Sequence, residues 1–179
     1  MTVIKEYLEL AVAFVQVHHE WAAPIVFILA FAESLAFVSL ILPFWGVLVA
    51  IGTLFAAGTS LSFLSIWLAA AIGAALGDWV SYWLGRRYHA QIAHIWPLSK
   101  HPELMERGHR FFEQWGAWAI VFARFWGPLR ASIPIVAGVV QMPWLNFQIA
   151  NFASAFLWAL VLLSPGAFGL GWWLQTVGR

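Results

Sequence analysis

The sequence predicts an all-α integral membrane protein, and three observations carry that prediction. Of 179 residues, 63% are hydrophobic and 9% are charged, whereas a soluble domain carries about 25% charged residues. The apolar residues are gathered into blocks, several of them as long as the roughly 20 residues that one membrane crossing needs. The 13 tryptophans and 14 glycines suit the same class, tryptophan at the interfaces and glycine within the helices. Cysteine is absent, which excludes disulfides, thiolate metal sites and thiol chemistry. A net charge of +1 gives no basis for a nucleic-acid partner.

Taken in order, residues 1–20 place Lys5, Glu6, Glu9, His18, His19 and Glu20 around the apolar run Leu8 to Val17. They lack the pattern of a cleaved signal and predict an amphipathic or interfacial helix. The block from Trp21 to Ala57 is too long for one crossing and too short for two. Leu42-Pro43 divides it into a crossing from Pro24 to Leu42 and a segment from Phe44 to Ala57 whose length, about 14 residues, suits a re-entrant piece. Gly58-Thr-Ser60 reads as a turn, and Leu61 to Leu84 as the next crossing. On it Ala70, Gly73, Ala74 and Gly77 form a stripe of small residues that allows close helix packing.

Residues 85–114 break the apolar pattern. They hold Arg86, Arg87, Lys100, Arg107 and Arg110, five of the nine Lys and Arg residues, and this excess predicts a cytoplasmic loop. Within it Ile92 to Trp96 and Pro102 to Phe112 read as interfacial helices. His89, His94, His101 and His109 are irregularly spaced and without cysteine, so they read as surface histidines rather than metal ligands. Ala117 to Val140 is an apolar approach followed by a piece, Pro128 to Gly138, that Pro134 interrupts and that is too short to span. Leu145 to Leu163 is long enough to cross, and Ala167 to Val177 is marginal. Pro43 and Pro134 occupy comparable places in two halves, which supports an inverted repeat with broken segments meeting near the midplane.

The candidate site residues are the ionisable groups stranded in these apolar segments. Arg124 and Arg130 lie in Phe122-Ala-Arg-Phe-Trp-Gly-Pro-Leu-Arg-Ala-Ser-Ile-Pro-Ile-Val-Ala-Gly138. A guanidinium does not deprotonate in proteins, and at a membrane-helix centre it costs about 2.5–3.5 kcal/mol on the insertion scale. Each arginine therefore needs a carboxylate, a wet cavity or an anionic substrate. Glu33 is stranded in the same way between Phe27 and Leu42. Asp78 either neutralises the basic edge near Arg86 or takes part in function. Tyr82, one helical turn on, is placed to donate a hydrogen bond to it. Asn151 needs a partner inside its span and is expected to brace the arginine segment. Trp126, Trp144 and Trp158 read as packing or interfacial residues.

Several of these stretches together resemble the DedA family, also described as the VTT or SNARE-associated membrane-protein family, over roughly residues 20–164. The resemblance rests on Phe31-Ala-Glu33, Leu42-Pro43, Gly73-Ala-Ala-Leu-Gly77-Asp78-Trp-Val-Ser-Tyr82-Trp-Leu-Gly85-Arg86, Phe112-Glu-Gln-Trp-Gly116 and Arg124-Phe-Trp-Gly-Pro128-Leu-Arg130-Ala-Ser-Ile-Pro134-Ile-Val-Ala-Gly138, followed by Phe147, Asn151 and Trp158. It implies residence in the bacterial inner membrane and two opposed re-entrant hairpins within a domain over residues 21–179. It further implies movement of lipid headgroups, such as undecaprenyl phosphate or phosphatidylethanolamine, often with protons as the coupling ion. By position Glu33 is the implied embedded acid, and Arg124 and Arg130 the implied basic pair. This chain departs from the family at Pro43-Phe44-Trp45-Gly46, where a second acid is common.

The resulting expectation is a transporter or flippase for an anionic lipid headgroup. Arg124 and Arg130 bind the phosphate, and Glu33 couples transport to protons. Pro43, Pro128, Pro134, Gly138, Asp78, Tyr82 and Asn151 give support, and no metal or cofactor is expected. The alternatives are a structural membrane-homeostasis protein, or a membrane phosphatase or phosphotransferase. The last lacks a nucleophile–base pair and clustered carboxylates.

Overall fold

The computed structural model describes residues 19–35, 62–89, 91 and 102–164 of the protein. All regular structure among the described residues is helical. The expected interfacial helix in residues 1–18, the segment Phe44 to Ala57 with Pro43, the turn Gly58 to Ser60, the helix Ile92 to Trp96 and the piece Ala167 to Val177 lie outside the described residues.

Among the described residues six α-helices follow a 3-10 turn at His19–Trp21. They are α1 (Ala22–Ser34), α2 (Phe63–Arg87), α3 (Pro102–Trp115), α4 (Trp118–Arg124), α5 (Gly127–Val139) and α6 (Trp144–Ser164). Helices α2 and α6 are apolar and have 25 and 21 residues, or about 37 and 31 Å at 1.5 Å per residue. Both cover the roughly 30 Å of a hydrocarbon core. Their outward faces carry Leu64, Ile72, Trp79 and Trp83 on α2 and Leu145, Ile149, Leu157 and Val161 on α6, all exposed. A soluble surface would not tolerate such a band, and lipid tails solvate it.

Two sequence expectations change. Helix α1 was expected to run from Pro24 to Leu42 but ends at Ser34, where Leu35 turns extended (φ −73°, ψ 128°). At 13 residues it is about 20 Å long, short of a crossing. It stops where its polar residues, Glu33 and Ser34, meet their partners in the interior. The second change concerns Pro134, which does not interrupt α5; the helix runs through it from Gly127 to Val139. The break lies earlier, at Phe125–Trp126, and Trp126 is extended (φ −110°, ψ 99°). Pro128 sits in the first turn of α5, where a missing N–H leaves no helical bond unmade. Pro134 instead removes the helical donor for the Arg130 carbonyl.

Helix α2 is the central post and packs against α1, α5 and α6. It runs parallel to α1, with Gly73 over the Phe27 carbonyl and Gly77 over that of Phe31. It runs antiparallel to α6, because Asn151 reaches the Ala75 carbonyl (2.9 Å) while Trp67 reaches that of Phe156 (3.0 Å). The small-residue stripe is therefore the α1–α2 seam. A methyl at Gly77 would meet the Phe31 carbonyl oxygen and, at 2.8 Å, the Ser34 Cβ.

Gly138 has the same role on α5. A Cβ there would collide with the Tyr82 carbonyl oxygen and lie 2.7 Å from the Arg86 amide nitrogen, backbone atoms that cannot step aside. Gly138→Leu is expected to destabilise the folded state by about 3 kcal/mol or more. This would be read as a lowered thermal midpoint in detergent, and an unchanged midpoint would contradict the packing.

Two apolar clusters divide the interior. One gathers Val26, Ala30, Ile66, Ala70, Ala155 and Leu163, and the other Tyr82, Ile120, Ile133, Ala137, Phe147 and Ala150. Along α2 and α6 the residues between them are Gly77, Asp78 and Ser81, and Asn151 and Ser154. The polar residues thus form a layer about one helical turn from the midpoint of each long helix.

Candidate functional site

Four ionisable side chains meet in this layer, all buried: Glu33 from the end of α1, Asp78 from α2, Arg124 from the end of α4 and Arg130 from the first turn of α5. Their formal charges cancel. Arg124 donates through Nη2 to Asp78 Oδ2 and, at 2.6 Å, to Asn151 Oδ1. Asn151 is itself anchored by Nδ2 on the Ala75 carbonyl. Arg130 donates through Nη1 to Glu33 Oε1 (2.6 Å) and through Nη2 to Ser34 Oγ (3.0 Å). Its guanidinium lies over the Trp158 ring, 4.1 Å from the centroid.

The layer is not fully satisfied. Glu33 Oε2, Asp78 Oδ1, Arg124 Nη1 and Arg130 Nε are buried and make no hydrogen bond to the described residues. A small cavity bordered by Asp78, Arg124, Arg130 and Pro134 has room for about one water molecule. Bringing charges out of water costs several kcal/mol per ion, which mutual attraction offsets only when the remaining hydrogen-bonding positions are filled. Two donors and two acceptors left over at such depth are a costly way to fasten helices together. They are, however, the groups that an incoming anion and its displaced counter-ions would use.

The sequence expectations can now be placed. Arg124, Arg130 and Glu33 are brought together as expected, with Glu33 facing Arg130. Asp78 does not neutralise the basic edge, since it turns inward to Arg124. Asn151 braces Arg124 as expected. Tyr82 does not bond Asp78: its hydroxyl donates to the Met142 carbonyl (2.7 Å) and accepts from Arg86 (2.8 Å). Four residues on an α-helix put it one turn nearer the membrane edge, and its ring stacks on Phe147 at 4.1 Å. It fastens the end of α2 to the connection between α5 and α6. Pro134 lines the cavity, Pro128 opens α5, Gly138 sets the α2–α5 approach, and Pro43 is outside the described residues.

Sequence reasoning missed Ser34 and Trp158 as partners of Arg130. A signal existed for Trp158: Asn151, Ser154 and Trp158 recur at i, i+3 and i+7, which puts them on one face of α6.

This geometry can be set beside known proteins. The family model of the VTT domain matches residues 42–168. The chain belongs to the VTT, or DedA, family of membrane proteins. It is 38% identical over 142 residues to the inner membrane protein YabI of Escherichia coli K12, covering 79% of this chain and 55% of that relative. To the inner membrane protein YqjA of the same strain it is 31% identical over 148 residues, covering 79% and 64%. To the uncharacterized membrane protein BU139 of Buchnera aphidicola it is 33% identical over 142 residues, covering 79% and 55%. This VTT protein spans about half the length of the first of these relatives. No solved structure matches it significantly. With two helices among the described residues long and apolar enough to span, and with inner-membrane relatives, it is a multi-pass protein of the bacterial inner membrane.

Proposed function

We propose that this protein moves an anionic lipid headgroup across the inner membrane, with Arg124 and Arg130 as the phosphate site and Glu33 as the proton-coupling acid. The observation that carries this reading is the buried layer of two guanidiniums and two carboxylates with unfilled hydrogen-bonding positions on all four. A guanidinium binds phosphate oxygens through a planar fork of donors. The layer holds about one water as it stands, so a phosphate enters only as a carboxylate withdraws. In this mechanism Glu33, at the end of a short helix, withdraws and takes a proton as it leaves Arg130. Undecaprenyl phosphate and phosphatidylethanolamine are the headgroups to test first.

The same proposal includes the architecture. Helices α4 and α5 are too short to span, at about 10 and 20 Å, and form one re-entrant hairpin. An inverted counterpart in the first half of the chain belongs to the same proposal, as does a membrane domain over residues 21–179. The parallel run of α1 and α2 supports this, since the chain leaves α1 beside Ser81 and enters α2 about 27 Å further back along its axis.

Purified protein in liposomes provides the test. Leaflet-resolved movement of a panel of lipid phosphates is expected with the protein and not without it, and is expected to be faster under an imposed pH gradient. Movement that matches empty liposomes for every phosphate in the panel would remove the proposal.

Residues 85–114 are proposed to face the cytoplasm. Single cysteines at Lys100 and Arg107 are expected to resist an impermeant thiol reagent in intact cells and to react after permeabilisation. Prompt labelling from outside would reverse the orientation.

A further inference from the structure

Beside the arginine layer the structure has an apolar groove of about 320 Å³ in the seam between α4 and α6. Ala117, Trp118 and Val121 form one wall, and Ala150, Ala153 and Leu157 the other. The alanines make the concavity, and the exposed Trp118 and Leu157 form its raised edges. Along α4, Ala117, Val121 and Arg124 follow at i, i+4 and i+7 on one helix face. Along α6, Ala150 precedes Asn151, the residue that holds Arg124 at 2.6 Å. The groove therefore lies at the depth of the ionic layer, one helical turn from Arg124 along α4; Arg124 itself borders the neighbouring small cavity, and its Nη1 has no partner among the described residues.

We infer that this seam holds the hydrocarbon chain of an anionic lipid whose phosphate reaches Arg124. The inference rests on the proposed arginine site and adds to it a route and a ligand class. The phosphate arrives laterally from the bilayer, attached to its chain, and a free phosphate ion is not the intended ligand. Charge and shape agree on that occupant. A positive group sits one helical turn from a groove whose lining is apolar but for Ser154, and the molecule that matches both is an anion with a hydrocarbon tail. Bilayer lipids already solvate any apolar outer surface, so hydrocarbon gains little by moving from lipid to protein. The groove's contribution is geometric: it lets the tail follow the headgroup inward. Blocking it should therefore stop the lipid without touching the arginine.

Because the chain has no cysteine, Val161→Cys can carry a single fluorescent label on the exposed face of α6, one turn beyond the Leu157 edge of the groove. The labelled protein is placed in phosphatidylcholine nanodiscs that contain a small fraction of lipid with brominated acyl chains. Brominated phosphatidic acid is expected to quench the label several-fold more than the same fraction of brominated phosphatidylcholine. Adding Arg124→Ala is expected to make the two equal. Equal quenching by the two lipids in protein with Arg124 intact would overturn the inference.

A second measurement uses Ala153→Trp, which fills the groove, against Val161→Trp on the exposed face of the same helix beyond it. The first should lower lipid-phosphate transport by about tenfold or more at normal membrane abundance, and the second should leave it unchanged. Equal transport by the two variants would also count against the groove. Transport by Arg124→Ala at the wild-type rate would instead count against the arginine site itself, so the two failures are distinguishable.

Discussion

Arg124→Ala is expected to abolish lipid-phosphate transport, by about 100-fold or more, and also to weaken the fold. The two effects have separate causes. Arg124 is the partner of Asp78, and removing one member of a buried pair typically costs about 3–5 kcal/mol because the other is left charged and unpaired. Asn151 Oδ1 loses a donor at the same time. A loss of activity alone would thus be ambiguous. The double variant Arg124→Ala with Asp78→Asn resolves it, since it removes the stranded charge. Its thermal midpoint is expected to recover most of the loss while transport stays absent. Arg124→Lys is expected to fold well and transport poorly, because an ammonium is a point charge without the planar fork. Wild-type transport by the double variant at matched abundance would show that Arg124 serves the fold and no substrate.

Glu33→Gln is expected to separate binding from coupling. The glutamine amide oxygen can still accept from Arg130, so the hydrogen bond at 2.6 Å keeps an acceptor and the helices keep their contact. The carboxylate charge is lost, and the layer, neutral in its charged groups, gains one net positive charge. At a separation of about 4 Å and an effective dielectric constant of about 20, one unit charge acts on another with roughly 4 kcal/mol. An anionic headgroup should therefore bind more tightly, and leave more slowly, than in wild type. With no proton to take up or release at residue 33, a pH gradient should no longer drive accumulation. The measurement is transport with and without an imposed gradient, beside equilibrium binding of the same lipid phosphate. Gradient-driven accumulation equal to wild type would assign Glu33 a structural part and place any coupling elsewhere. Asp78 is the next acid to examine, because position 45, where the family often has its second acid, is Trp45 here.

The sequence by itself determined the class of the protein, the two long apolar helices α2 and α6, and three of the four charged members of its ionic layer. Composition shows the solvent in which the surface must be stable. The uninterrupted apolar runs around α2 and α6 are long enough that helix is the only open structure that satisfies its own backbone there. Glu33, Arg124, Arg130 and Asn151 stood out because each is expensive where it lies, a property that needs no coordinates. The seam between α1 and α2 was also legible, since the small residues at 70, 73, 74 and 77 share one helix face.

Only the tertiary structure decided how those groups are paired and where the short helices stop. Pairing depends on which helix ends reach the same depth. Glu33 and Arg130 are 97 residues apart, and nothing local distinguishes Arg130 from Arg124 as the partner. The sequence leaves Asp78 open between the basic edge near Arg86 and a part in function, and only the packing of the helices pairs it with Arg124. Pro134 is a strong local signal for a break, but here neighbouring helices hold α5 continuous, and the chain turns at Phe125–Trp126, where sequence offered no breaker until Pro128. Trp158 reads from sequence as a packing or interfacial residue, and only the fold brings the guanidinium of Arg130 over its ring. In each case the deciding contact comes from a distant part of the chain, and side-chain chemistry alone fixes that a partner is required without fixing which one it is.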